Sequence, residues 1–593
     1  MDDRRVLSVL QVRLDDEPAV AVACDSVGDT SRFWAVARHL GDPGPDPTVE
    51  IHRRRQVVAR TLTEEITIRN RSSETVTATL HVLIGGDGAD LGSVKSGGAD
   101  ETTPLAAHLE PTPTWADERH ATQVECTPRP GGARHTGQGV ALEWPVEVEA
   151  GGAQVVTLEL TTEPVAASAF DAGQGSGLAD FGDVAQRVAD DPAWRRMVET
   201  NLTDLQHLLL TDPEAPGDVF AAAGTPWYLT LFGRDSLWAA RFMLPFSTAL
   251  PLGTLRTLAR RQAREDDVAI AAETGKILHE VRRGAYDATG LRLPPLYYGT
   301  VDATPLWVVL LVDAWRWGLG EDEVRGLLPT MLAALGWMER MCEQADDGFL
   351  RYVDEAGTGL SNQGWKDSGD SMRRADGTIA PAPIALLEAQ AYAVEAARGA
   401  ASLLEALGED GGERWVAFAD ALEGRVRERF WVGSGENRYL AMALDADGQP
   451  VDGVGSNMGH ALGTGVLTAA EERLVVERLM RPDMLREFGI ATLSADNPAY
   501  NPTGYHTGSV WVHDTAICVL GMLRAGYESE AREVSEALVR LSSSVHHRFP
   551  ELVSGDPVGA RPVPYPASCR PQAWAAASAA VLLAARDGSW RRG

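Results

Sequence analysis

Through the first 165 residues apolar and polar side chains alternate with a period near two. ETVTATLHVLI, GVALEWPVEVEA and AQVVTLELTTEP are the clearest runs, and RNRSS, RPGGARHTGQG and EAGGA between them carry turn chemistry. Such alternation predicts half-buried strands. No helical pattern intervenes to connect parallel neighbours, so an antiparallel β-sandwich is expected over 1–165. From 166 to 190 the chain is rich in glycine and poor in large apolar residues, the signature of a linker.

Beyond 190 the period changes to that of amphipathic helices. Segments are predicted at 192–212, 235–248, 251–265, 304–318, 326–343, 383–407, 411–430, 457–466, 469–480, 508–525, 528–546 and 570–587. TPLWVVLLVDAWRWG and PQAWAAASAAVLLAA are apolar nearly all round, whereas EAREVSEALVRL has a charged face. Fully buried helices alternating with one-sided ones suit two concentric rings. Six pairs make an (α/α)6 toroid over 191–593, and the whole is multidomain, as 593 residues already suggest.

Composition narrows the partners. The formal net charge is −30, which disfavours nucleic acid and anionic membrane surfaces. No apolar run is long enough to span a bilayer, and the opening MDDRRVLSVLQVRLDDEP lacks the apolar stretch of a signal peptide. Five scattered cysteines, an odd number without CxxC spacing, point to a reducing compartment, so the cytoplasm is expected. Sixteen tryptophans direct attention to carbohydrate, because indole offers a flat apolar face and an N–H donor.

Five segments resist explanation as core or solvated surface. AAGTPWYLTLFGRDSLWAARF (222–242) crowds Trp227, Tyr228 and Phe232 beside Arg234 and Asp235, although Asp235 could simply cap the next helix. AAETGKILHEVRRGAY (271–286), with Lys276, Glu280 and Arg282, reads better as a solvated charged face than as a site. SNQGWKDSGDS (361–371) gathers Trp365, Lys366, Asp367 and Asp370 in poor helix and strand material. NPAYNPTGYHTGSVWVHDTA (497–516) holds His506, Trp511, His513 and Asp514. Histidine and aspartate there lack a third regularly spaced ligand, so a hydrogen-bonding wall is favoured over a metal. The fifth, 548–578, is stiffened by six prolines and carries Glu551, Gln572 and Trp574.

In this order, GTPWYLTLFGRDSLW, GKILHEVRRG, YYGTVDATPLW, GWKDSGD, YHTGSVWVHD and FPEL…CRPQAW resemble the amylo-α-1,6-glucosidase family of bacterial glycogen-debranching-like proteins, over roughly 195–590. The β-rich segment is similar to the N-terminal domain of such proteins. The resemblance, more distant to glucoamylases and trehalases, implies the toroid and an inverting glycosidase mechanism without metal or cofactor. It implies Asp367 as general acid and Glu551 as general base, with Asp370 as the rival acid. Arg234 and Asp235 resemble a pair that hydrogen-bonds the sugar. Trp227, Trp365, Lys366, Asp370, His506, Trp511, Gln572 and Trp574 complete the expected substrate-binding set. Cleavage of α-1,6 branch stubs or short α-glucans is the leading expectation. The alternatives are another small α-glycoside or a non-catalytic sugar-binding protein. Nothing resembles a (β/α)8 barrel, so no accompanying glucanotransferase is expected.

Overall fold

The computed structural model describes residues 3–98, 103–165, 169–172, 187–188, 190–288 and 291–591. Most of the segment read as a linker, 166–190, lies outside them. The chain divides into two compact units, Met1–Ala169 and Phe170–Gly593.

The first unit contains thirteen described strands: β1 (Val9–Leu14), β2 (Glu17–Pro18), β3 (Val20–Val27), β4 (Thr30–Val36), β5 (Val49–Val58), β6 (Thr61–Asn70), β7 (Val76–Gly85), β8 (Ala107–His108), β9 (Thr114–Ala116), β10 (His120–Thr127), β11 (Gly132–Thr136), β12 (Gly139–Val148) and β13 (Ala153–Pro164). They form antiparallel sheets ordered β11-β12-β7-β1-β2 and β3-β4-β5-β6-β13-β10-β9-β8. Leu80, Val82, Leu142 and Trp144 from the first sheet share one core with Ile66, Ile68, Val156 and Leu158 from the second. The period-two pattern therefore specifies register, because a one-residue slip would turn each apolar set outward.

In the second unit eleven α-helices are described: α1 (Pro192–Gln206), α2 (Gly233–Phe242), α3 (Ala249–Arg260), α4 (Ala303–Arg316), α5 (Glu321–Gln344), α6 (Leu387–Leu407), α7 (Gly412–Arg429), α8 (Ala469–Leu479), α9 (Val512–Arg524), α10 (Glu528–Ser544) and α11 (Ala573–Asp587). A 3-10 segment, Ser456–Ala461, lies between α7 and α8. Packing runs from α2 to α4, α6, the 3-10 segment, α9, α11 and back to α2. The members of this cycle are the most fully buried ones. Every residue of α2 is buried, as is α11 from Ala573 to Ala585. The others cover them from outside and bury one stripe, such as Trp415, Ala419, Leu422 and Val426 in α7.

Several predicted segments are corrected. The 235–248 and 251–265 helices stop at Phe242 and Arg260, and 326–343 begins already at Glu321. The 192–212 helix stops at Gln206, and Leu209–Asp212 pairs with Ala215–Ala221 as a hairpin. The 383–407 helix begins only at Leu387, because Ala385–Leu386 pairs with Ala443–Leu444. Likewise 508–525 begins at Val512, since Val510–Trp511 pairs with Leu552–Val553. The 457–466 segment yields only the 3-10 turns. Its glycines raise the entropic cost of a helix, and Gly463 adopts φ +68°, a left-handed conformation that ends the run.

Candidate active site

The N-terminal ends of the cycle's members carry the polar residues, and the five unusual segments are laced together around them. Gly233 N–H donates to His279 O, joining the first segment to the second. Val301 N–H donates to Gln363 O, which ties YYGTVD to the 361–371 loop. The Val510–Trp511 and Leu552–Val553 pairing brings the fourth segment to the fifth. Thr225 N–H donates to Pro571 O and Arg570 N–H to Thr225 O, closing the fifth onto the first. Backbone pairing thus gathers side chains that lie hundreds of positions apart.

Glu551 is almost completely buried, at 1% exposure, and its carboxylate accepts two hydrogen bonds. Tyr505 Oη donates to Oε1 at 2.6 Å and Cys569 N–H to Oε2 at 2.8 Å. Asp367 is more open, its side chain 32% exposed, with Oδ2 3.5 Å from Arg234 Nη2. Arg234 is buried, its Nη1 bifurcated at 2.9 Å between the two carboxylate oxygens of Asp302, and its Nη2 meets His279 Nδ1 at 3.1 Å. Burial, with Arg234 beside it, holds His279 neutral, far below its usual range.

Asp235, next along α2, connects the two carboxylates electrostatically. Burial pushes its pKa up to about 8; Arg234 opposes the rise, and the charges of Asp367 and Glu551 reinforce it. Tyr228 and Tyr505 feel the same two charges and, chiefly through burial, sit well above the normal phenol range. Tyr505, hydrogen-bonded to Glu551, is followed by His506, which is hydrogen-bonded to Ser368 beside Asp367.

Trp365 is buried in an aromatic cluster. It stacks on His460 with centroids 5.8 Å apart and meets His506, Trp511 and His513 edge to face. His506 shares a 2.8 Å hydrogen bond with Ser368 Oγ and stacks on Trp511, whose indole N–H donates to Tyr505 O. His513 stacks on Trp574 at 3.6 Å. Burial keeps both histidines neutral. Gln572 begins α11 and is buried against Gly224, and Trp227 is half-buried at the same turn. No group of three histidine, cysteine or acidic side chains suits a metal among the described residues.

Two expected substrate-binding residues are placed elsewhere. Lys366 is buried and turned from Asp367; its ammonium donates to Asn457 Oδ1 and Thr492 O, both at 2.6 Å, so it braces the 3-10 segment. Burial lowers its pKa to about 8, against the pull of Asp514 and Glu388. Asp370 is half exposed, accepts from Ser368 Oγ and lies 3.8 Å from Arg373. Tyr505, Asp302, His279 and Asn457 have no assigned role from sequence alone. Tyr505 had one signal, its place beside His506 in the fourth segment.

The comparisons place the chain among the glycoside hydrolases. Residues 1–159 match the N-terminal domain of some glycogen debranching enzymes. Residues 253–556, just over half of the chain, match the mannosylglycerate hydrolase MGH1-like glycoside hydrolase domain, and the chain belongs to that family. Among solved structures it is similar to the GH63 mannosylglycerate hydrolase of Thermus thermophilus in complex with Tris, at 15% identity and TM-score 0.46, covering 61% of this chain and 95% of that one. An uncharacterized conserved protein of the same organism gives 16%, 0.45, 61% and 95%. The comparison with curated proteins returns no match.

Proposed function

We propose that the chain is an inverting, exo-acting glycosidase of neutral α-glucosides, short α-glucans or α-1,6 branch stubs. Asp367 is the general acid and Glu551 the general base. The observation that carries this reading is a chain of contacts between the two loops: Tyr505 donates to Glu551 Oε1 at 2.6 Å, and its neighbour His506 shares a 2.8 Å hydrogen bond with Ser368, the residue after Asp367. We read the helical cycle as an (α/α)6 toroid over 191–593, with the 3-10 segment as its shortest inner member, and 1–165 as a separate β-sandwich domain. A cytoplasmic setting is part of the same proposal, supported by five cysteines that are free thiols.

The chemistry follows from the two environments. Asp367 gives its proton to the glycosidic oxygen as the bond to the anomeric carbon breaks. Water attacks that carbon from the opposite face and passes a proton to Glu551, leaving a hemiacetal of inverted configuration. Glu551 suits the base role because two donors face its oxygens and favour its ionised form. Asp367 is given the acid role because its more open carboxyl group can be reached by a leaving group, and because the neighbouring Arg234 is already paired with Asp302. Asp370 is the weaker acid candidate, being held toward Arg373 and solvent. Asp235 and the aromatic set bind the sugar.

The family match favours a second reading, a small glycoside such as an α-mannosyl glycerate. A panel of maltooligosaccharides, isomaltooligosaccharides and α-mannosyl glycerate, followed by proton NMR of the first-formed anomer, separates the two. Asp367→Asn and Glu551→Gln should each lose activity by about 10²–10⁴-fold, and azide should rescue Glu551→Gln. Parental rates in either variant would reject the roles, and retained configuration would reject inversion. A protein that binds saccharides from the panel but cleaves none is the non-catalytic alternative.

A further inference from the structure

A cavity of about 560 Å³ opens at the C-terminal ends of α4, α9 and α11, lined among others by Arg316, Trp317, Arg524, Glu528, Arg532 and Trp590. The same three helices begin at Asp302, Trp511 and Gln572, in the candidate active site. They have 14, 13 and 15 residues. At 1.5 Å per residue the cavity therefore lies about 20 Å from that site, at the far end of the cycle. Its volume is in the range of small-molecule sites, about 300–1,000 Å³.

Its wall combines guanidiniums braced by carboxylates with two half-buried indoles. Arg524 Nη2 lies 2.6 Å from Glu395, which also pairs with Arg241; Arg241 in turn holds Asp313 at 2.8 Å. Arg316 lies 3.4 Å from Asp313 and Arg532 3.5 Å from Glu528. The lining thus holds three guanidiniums, Arg316, Arg524 and Arg532, and two carboxylates, Asp313 and Glu528, with Arg241 and Glu395 paired behind it, and three helix C-termini add partial negative charge of about half a unit each. The sum is close to neutral, which gives no strong field for a phosphate or another polyanion. It does supply fixed donors and acceptors side by side, the arrangement that suits hydroxyls, since each both donates and accepts. Trp317 and Trp590 meet edge to face at 5.8 Å and present apolar surface to a sugar ring. Neutralising the helix dipoles accounts for the arginines alone; it does not account for a hollow with two indoles in its wall.

We propose that this cavity is a second carbohydrate-binding site, for a neutral oligosaccharide, remote from Asp367 and Glu551 and independent of their roles. Calorimetric titration of the full chain with maltotriose and isomaltotriose, in the presence of saturating deoxynojirimycin, tests it. Binding should persist in the parent and weaken at least about tenfold in both Trp590→Ala and Arg532→Gln, with the parental melting temperature kept and hydrolysis at the other end unchanged. The proposal fails if neither trisaccharide binds, if both variants bind like the parent, or if inorganic phosphate displaces the saccharide. Should deoxynojirimycin itself not bind, the glucosidase reading is what suffers. The parent-to-variant comparison of trisaccharide binding then still decides the cavity.

Discussion

Asp235 stands in the first turn of α2 beside Arg234, within reach of the charges on Asp367 and Glu551, and burial lifts its pKa to about 8. In the unfolded chain an aspartate gives up its proton near pH 4. Between about pH 4 and 8 the folded state therefore binds more protons than the unfolded one, and this residue's contribution to stability falls as pH rises. Asp235→Asn removes the ionisation. Its melting temperature should exceed the parent's by a margin that grows from about pH 5 to about pH 9, with a few kcal/mol at stake. Activity should fall above about pH 8, where the ionised carboxylate offers the sugar two acceptor oxygens and an amide offers one beside an NH2 donor. A margin constant with pH would refute the assigned burial cost. Tyr505 allows a separate test, as its hydroxyl donates to Glu551 Oε1. Tyr505→Phe should lower kcat by about ten- to a hundredfold with little change in KM, the pattern of an interaction used in the transition state. A raised KM at constant kcat would instead make Tyr505 a binding residue. Asp367 and Glu551 stood out in the sequence because a Trp-Gly-Ser loop and a proline-stiffened loop are odd places for carboxylates. Tyr505, Asp302 and His279 did not, because their partners are supplied by other segments. Lys366 shows the same limit: its neighbours in sequence suggested the site, while Asn457 and Thr492 hold its ammonium.

At the level of elements, periodicity was informative wherever one face or all faces of a segment are apolar. Ala469–Leu479 and Gly412–Arg429 agree with their predicted spans to within a residue at each end. Errors fell where short strand pairs interrupt the helical pattern, since two-residue pairings such as Val510–Trp511 with Leu552–Val553 leave no periodic trace. They are nonetheless what draws the fourth and fifth segments together. The 3-10 segment is another exception, and its glycines serve packing as well. A Cβ added at Gly459 would lie 2.3 Å from Cys518 Sγ on α9. Gly459→Ala should therefore cost about 1–3 kcal/mol through overpacking. Because the clash is with a side chain, adding Cys518→Ala should recover part of that loss, and denaturant melts of the four members of the cycle measure the coupling. Strict additivity of the two changes would show that the segment and α9 do not bear on each other there.

At the scale of the molecule, the net charge of −30 acts on any ligand before it reaches the loops. An anionic glycoside, such as a sugar linked to glycerate, is depleted near a polyanion at low ionic strength and recovers as salt screens the field. The Debye length shrinks from about 30 Å at 0.01 M to about 8 Å at 0.15 M, shorter than the dimensions of a chain this size. A neutral glucan has no such term. Glu551, the base, adds an ionised carboxylate at the site itself, and the charge of Arg234 is already offset by Asp302. If neutral α-glucosides are the substrates, kcat/KM on them should stay constant across this salt range. Activity on an anionic analogue should be lower and rise with salt. Comparison of the two salt profiles separates substrate class from loop detail, because it depends on total charge and needs no variant. A preference for the anionic substrate already at about 0.01 M salt would require a local cation strong enough to overcome the whole field, and would move the reading to the family's mannosylglycerate-like chemistry.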